Sequence, residues 1–296
     1  MAKRNTNIPI RFDKFDVKNV VITEPEDNDM VKTQKLSYPR YKNGDNLGQL
    51  LIKTPVMNIF SGGIPSIGEY FKDDKARAKG FKIPFDVNNS ESKQFLDSMK
   101  ELQEWMASPD FQTNVLGTTK NIECQTIISE PMIDEDDESK NNRPCTMKVR
   151  IALDYNTDKV LTQLFVKNEE GKRVATEVDT LDDLCKFVRY KSNVRLIIQA
   201  NKFYIMKNPD PKTKKKLYGL TFKVMQIEVD APSATSMNFD KTVDNFDSDD
   251  EDDKPSTSRI ESTISTIDLD DGIEEEEEVP KSKSKGKTKK DKHADA

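Results

Sequence analysis

A chain of 296 residues with 47 basic, 53 acidic and one histidine side chain and a mean hydropathy of -0.78 has room for one large or two ordinary domains, at roughly 150 residues each. No run approaches the roughly 18 apolar residues of a bilayer span, and Met1–Asn5 leads into no apolar secretory core. Cys124, Cys145 and Cys185 form no CxxC pair, so the expectation is a soluble intracellular protein in reducing surroundings, with no membrane partner. Charge is segregated: residues 236–296 hold 19 acidic and 10 basic side chains, which leaves 37 basic and 34 acidic for residues 1–235. A mildly basic body with an acidic tail speaks to partners rather than to fold.

In chain order, Phe12, Phe15 and Val17 lead to Val20–Ile22, an acidic break at 24–29, and a strand-like group at Leu36–Tyr38. After a loop at 43–46, Leu50, Ile52, Val56 and Ile59 mark a strand whose Pro55 calls for an edge or a bulge. Gly62, Gly63 and Pro65 close that segment, and Phe81–Val87 reads as a short strand. Phe95, Met99, Leu102 and Met106 then form one apolar stripe of a helix capped near Asn88–Ser90 and ended by Pro109. Asp134–Asn142 reads as a surface loop. Met147, Val149, Ile151 and Leu153 alternate as a strand, 160–167 and 173–178 as a hairpin, and Thr180 caps a short helix. Two strands, Val194–Gln199 and Lys202–Met206, flank Ala200-Asn201, and a loop at 208–216 leads into Gly219–Val229.

That last segment changes phase. Leu220, Phe222 and Val224 share one face, whereas the next apolar residues are Met225, Ile227 and Val229. A β-bulge produces such a flip, and bulges let a sheet curl. The expected fold is mainly β (α+β): a small, partly open barrel with one long and one short covering helix over residues 1–235. Residues 236–296 follow as a disordered tail, acidic over 247–278 and lysine-rich over 281–292, because neither block buries enough apolar area to offset chain ordering.

Nothing in the sequence signals catalysis. The single histidine, His293, lies among tail lysines, and no phosphate-loop, dinucleotide, zinc-protease or serine-nucleophile motif occurs. The acidic clusters sit where the chain is least rigid, whereas a metal site needs ligands on fixed elements. No enzyme, cofactor or metal is expected.

Single-stranded nucleic acid is held by cations along the phosphates and by flat rings under the bases. The body interleaves both types at Tyr38, Arg40, Tyr41 and Lys42, at Arg189, Tyr190, Lys191 and Arg195, and at Lys202, Tyr204 and Lys207. Lys214 and Lys215 follow in a basic loop, while Lys53 and Arg150 add charges on strand-like segments. Some of these rings fit a core as well as a surface, but local clustering matters more to phosphate binding than net charge does.

The stretches Val194–Ile205 and Tyr218–Val229 resemble the C-terminal part of the OB-fold single-stranded-DNA-binding proteins of short-tailed coliphage type, whose relatives occur in large nucleocytoplasmic DNA viruses. Leu50–Met57, ahead of the helix, resembles an earlier part of the viral group. The resemblance implies an OB barrel with a long helix and DNA bound across the barrel face near Arg195, Lys202 and Tyr204. It also implies an acidic C-terminus that contacts replication proteins. The chain departs from that pattern by ending Lys-His-Ala-Asp-Ala, so the lysine block at 281–292 reads as a nuclear-import or nucleic-acid-binding segment. The expected function is sequence-independent binding of single-stranded DNA in replication, recombination or repair. RNA stays open as a ligand and a homodimer as a state. The place of action is inside the cell: a host nucleus or viral factory for a viral protein, with packaging in the virion as a further site. The competing expectation is a viral structural or chaperone-like protein that acts through its acidic tail.

Overall fold

The computed structural model describes residues 8–131, 143–168 and 170–230. The loop expected at 134–142 and the tail expected at 236–296 lie outside them.

The chain opens with β1 (Ile10–Arg11), two 3-10 turns, β2 (Val20–Val21), β3 (Glu26–Asp27), β4 (Gln34–Ser37), β5 (Arg40–Asn43), β6 (Asn46–Gln49) and β7 (Leu51–Asn58). A short helix α1 (Asp74–Gly80) precedes β8 (Lys82–Pro84). The hydrophobic pattern gives no hint of α1; its signal is Asp73, whose Oδ1 accepts from Ala76 N at 2.7 Å and caps an Ala/Lys/Arg run. Next come α2 (Ser90–Ala107), the single turn α3 (Pro109–Phe111), β9 (Ile122–Cys124), β10 (Ile128–Ser129), β11 (Thr146–Lys148) and β12 (Arg150–Ile151). The hairpin β13 (Gln163–Lys167) and β14 (Arg173–Thr176), the helix α4 (Leu181–Cys185), and two long strands, β15 (Asn193–Met206) and β16 (Lys216–Asp230), complete it.

The main sheet runs β1-β7-β15-β16-β13-β14 and curls into a half-barrel. The mainly β body expected from the sequence is what forms, and β15 and β16 are its spine. The expected two strands around Ala200-Asn201 are one. The cross-strand register steps from Ala200↔Phe222 to Lys202↔Thr221, so Asn201 is an extra residue in an unbroken strand. A second step, from Ile197↔Gln226 to Ile198↔Val224, leaves Met225 as the extra residue on β16, where the apolar phase flips. Phe222 and Val224 are buried on one side of it, Ile227 and Val229 on the other. Each bulge turns the hairpin, so its two halves meet different neighbours. Residues 193–199 pair with β7, and 203–206 pair with β4.

Pro55 also lies at a register step, between Arg195↔Val56 and Ile197↔Lys53. Proline offers no N–H to a ladder. The Thr54 hydroxyl oxygen accepts from Leu196 N at 2.9 Å there, so the bulge stays satisfied inside the sheet.

The inner face of the sheet packs on α2, which begins where Asn89 Oδ1 accepts from Ser92 N at 3.0 Å. Phe95, Leu96, Met99, Leu102 and Met106 are all buried, as the stripe requires. The far half of the hairpin is pinned to the end of α2 by rings. Phe203 lies 5.6 Å from Phe111 and 6.1 Å from Tyr218, and the Tyr218 hydroxyl donates to the Met106 carbonyl at 3.0 Å. Burying rings of this size stabilises by about 1.5–3 kcal/mol each. Two smaller sheets, β10-β11-β8 and β2-β5-β6, extend the body.

Candidate nucleic-acid interface

In a strand, side chains alternate between faces, and directly paired residues share one. With Ile198, Ala200, Phe222, Val224 and Ile151 buried, Gln199, Lys223 and Arg150 project from the outer face. They stand in one row, because Gln199 pairs with Lys223 and Lys223 with Arg150. Lys53 on β7 pairs with Ile197, two residues along from Gln199 and on the same face, and Lys202 pairs with Thr221 on the other side of the row. At the strand-to-strand spacing of about 4.8 Å, the cations of β7, β15, β16 and β12 span roughly 15 Å.

The row continues past Arg150. Two residues back and on the same face, Lys148 pairs directly with Lys82 of β8. Like charges directly opposite in a sheet destabilise it, and here a third cation stands beside them. Burial, then the Arg150 and Lys82 charges, holds the Lys148 ammonium below the ordinary lysine value. Among the described residues, none of Lys53, Lys82, Lys148, Arg150, Lys202 and Lys223 takes part in an ion pair. The surface therefore carries positive charge that its own acids do not neutralise.

Rings stand beside this charge. Tyr204 lies two residues beyond Lys202, and its hydroxyl donates to Gln125 Oε1. Its partner across the ladder is Gly219, and a Cβ built there would come within 3.4 Å of the Tyr204 hydroxyl. Glycine lets the ring lie against the sheet. Burial pushes the Tyr204 phenol up, against the pull of the nearby Arg150 guanidinium. Tyr38 follows Ser37, the buried partner of Phe203, and is 58 % exposed. Arg40 is exposed two residues on, opposite Gln49.

The other expected positions fall elsewhere. Tyr41 is a correction: it is 4 % exposed, its ring stacks on Phe15 at 5.9 Å, and its hydroxyl oxygen accepts from Asp16 N at 3.1 Å. Alternation in β5 turns Arg40 and Lys42 outward and Tyr41 into the core, where no base reaches it. Arg195 lies on the outer face but is held by Glu228 at 3.3 Å, and the same carboxylate takes Arg173 and, at 3.2 Å, Lys167. Burial opposes ionisation of Glu228, yet the Arg173 and Lys167 cations keep its carboxyl below the usual range. Lys207 pairs with Asp27 at 2.8 Å.

Lys214 and Lys215 sit in the turn joining β15 to β16. Asp210 organises that turn by accepting from Lys212 N and Thr213 N, and Lys215 lies 3.8 Å from Glu123. Arg189, Tyr190 and Lys191 form the turn before Asn193, some 13 residue steps from Met206, or roughly 40 Å of strand. The apparent cluster between 187 and 218 is therefore spread along a strand, whereas Tyr38, Lys53, Arg150, Lys202 and Tyr204 come together. Sequence reading missed Lys82 and Lys223. Lys223 was recoverable, since it stands between Phe222 and Val224 on a recognised strand; Lys82 was not, because its pairing with Lys148 spans 66 residues.

Among the described residues no three His, Cys, Asp or Glu side chains group to hold a metal ion, and no helix is long and apolar enough to cross a membrane.

The chain matches no family model. It is 25 % identical over 232 residues to an uncharacterized protein of Acanthamoeba polyphaga mimivirus, which covers 70 % of this chain and 56 % of that protein. The chain thus spans little more than half the length of that relative. Among solved structures it is similar to gp2.5, a single-stranded DNA binding protein encoded by bacteriophage T7. That likeness has a TM-score of 0.31 and 10 % identity, and covers 63 % of this chain and 96 % of the other.

Proposed function

We propose that this chain is a binding protein for single-stranded DNA, held across the outer face of the curled sheet. The observation that carries the reading is the unpaired row Lys53–Lys223–Arg150–Lys148–Lys82, with Lys202 alongside and Tyr204 and Tyr38 at its edge. Phosphates relieve the Lys82–Lys148 repulsion, and bases stack on the two tyrosines, each stack contributing about 1–3 kcal/mol. Cations that follow phosphates and rings that stack on any base favour binding independent of sequence, as replication, recombination and repair require of a strand-coating protein.

On this reading the acidic stretch 247–278 is a tethered polyanion at about millimolar effective concentration. It competes with the DNA for the row and, once displaced, is free for basic partner proteins.

The test is fluorescence anisotropy with a labelled poly-dT, using the full chain and a chain ending at residue 235, over a range of salt. The expected result is binding at low salt, tighter without the tail, and falling with a log–log slope of about -0.7 per engaged cation. Equal affinity for poly-U would widen the ligand to RNA. Absence of binding at low salt by both chains would refute the reading.

A further inference from the structure

The cation row ends at a cleft. Lys82 exchanges both backbone hydrogen bonds with Gly63, at 2.8 and 3.1 Å, so Lys148, Lys82 and Gly63 stand side by side. Beyond Gly63 opens a cleft of about 450 Å³, inside the range of about 300–1,000 Å³ usual for small-ligand sites.

Its walls are firm. Arg77, 4 % exposed, donates from Nε to the Pro65 carbonyl at 2.8 Å and from Nη1 to Asp74 at 2.7 Å and Asp182 at 2.8 Å, tying the 62–67 loop to α1 and α4. The opposite rim is the turn Arg189–Ser192, fixed to the end of β7 by Lys191 N on the Ile59 carbonyl at 2.8 Å and Ile59 N on the Ser192 carbonyl at 2.9 Å. On that rim Tyr190 is 69 % exposed, with the Lys191 ammonium 5.4 Å from its ring centroid. Ile67, 63 % exposed, is also part of the lining.

We propose that this cleft is a base subsite, in which one unstacked base of the bound strand lies against Tyr190 and the apolar wall of Ile59, Ile67 and Val188. The inference rests on the interface reading and deepens it. A free metabolite is disfavoured by continuity: the cations that lead to Gly63 repeat from strand to strand, as a phosphodiester chain does, and a solitary ligand has no use for them. Exposed aromatic rings beside cations suit base stacking, because every base presents a flat face. The fixed walls reduce the ordering cost of capture. A strand running from Tyr204 along the row to Tyr190 covers more nucleotides than the row alone, so the subsite serves long ligands and not short ones.

The experiment measures anisotropy with oligo-dT of about four and about sixteen nucleotides, the limits of the usual footprint, for the parent chain, Tyr190→Ala and Tyr190→Phe. Because Tyr190 is exposed, neither substitution disturbs the core. Tyr190→Ala is expected to weaken the long ligand about tenfold and leave the short one unchanged. Tyr190→Phe is expected to match the parent, and a long strand carrying 5-iodouracil to photo-crosslink to Tyr190 in the parent. The subsite is overturned if Tyr190→Ala binds the long strand like the parent, or weakens short and long alike. A parent that binds neither length removes the interface itself, and the subsite with it.

Discussion

The two halves of the β15–β16 hairpin carry similar cations on the same outer face, and they differ in what stands next to them. Between 193 and 197, Arg195 faces Glu228, which also draws in Arg173 and Lys167, while Asp230 takes Lys167 at 3.2 Å. Around 199–204, Lys202, Lys223 across the ladder and the neighbouring Arg150 of β12 form no ion pair among the described residues. The first half spends its charge on holding β13, β14, β15 and β16 together. The second leaves it available to a polyanion. A basic residue on a sheet therefore indicates binding only when its cross-strand neighbours are known, and the bulge at Met225 separates the two regimes.

The comparison breaks first, and hardest, on charge reversal. Arg150→Glu together with Lys223→Glu is expected to weaken poly-dT binding roughly a hundredfold at low salt and to flatten the salt dependence by about two engaged cations. Both side chains lie on the outer face, so the thermal unfolding midpoint stays near the parent's. Unchanged affinity would place the ligand elsewhere. Next in size is Tyr204→Ala, expected to cost about 1–3 kcal/mol of binding by titration, with Tyr204→Phe close to the parent.

The paired half should answer differently. Arg195→Gln is expected to change affinity by less than about twofold, because the Arg195 charge is already held by Glu228. Glu228→Gln, by freeing Arg195 and Arg173 while Lys167 keeps Asp230, is expected to tighten binding roughly threefold while lowering stability by about 1–2 kcal/mol in urea unfolding. Should Arg195→Gln prove as damaging as the double reversal, the division between the halves fails.

Much of this scaffold was legible in the sequence because its signals are local. The stripe Phe95–Met106 gave α2, Thr180 gave the cap of α4, and the phase change after Val224 located the bulge at Met225. Pro55 pointed to an edge or a bulge, and the bulge is what formed. The interface was less legible, because its defining property is a set of pairings between distant residues. No spacing rule shows that Glu228 will neutralise Arg195 and Arg173. Nor does one show that Tyr41 turns inward while Tyr38, three residues earlier, stays exposed. Ala200-Asn201 looked like the end of a strand because one extra residue shifts apolar phase as a loop would, although the ladder continues through it.

The smallest expected effect gives the sharpest test of the unpaired half. Lys148 is held below the ordinary lysine value of 10.5 by burial and by Arg150 and Lys82. A bound phosphate favours its charged form, so the complex holds that proton to higher pH than the free protein does. Affinity for poly-dT is then full below the depressed value and falls, by a few-fold at most, as pH rises through it towards 10.5. Stability moves the other way. The unfolded chain, with an ordinary lysine, binds more protons across that window, so folding gains as pH rises. Weaker binding alongside unchanged or greater stability cannot come from unfolding. Lys148→Arg, charged throughout, should flatten the binding curve, and a curve that keeps its shape in that variant would assign the pH dependence to another group.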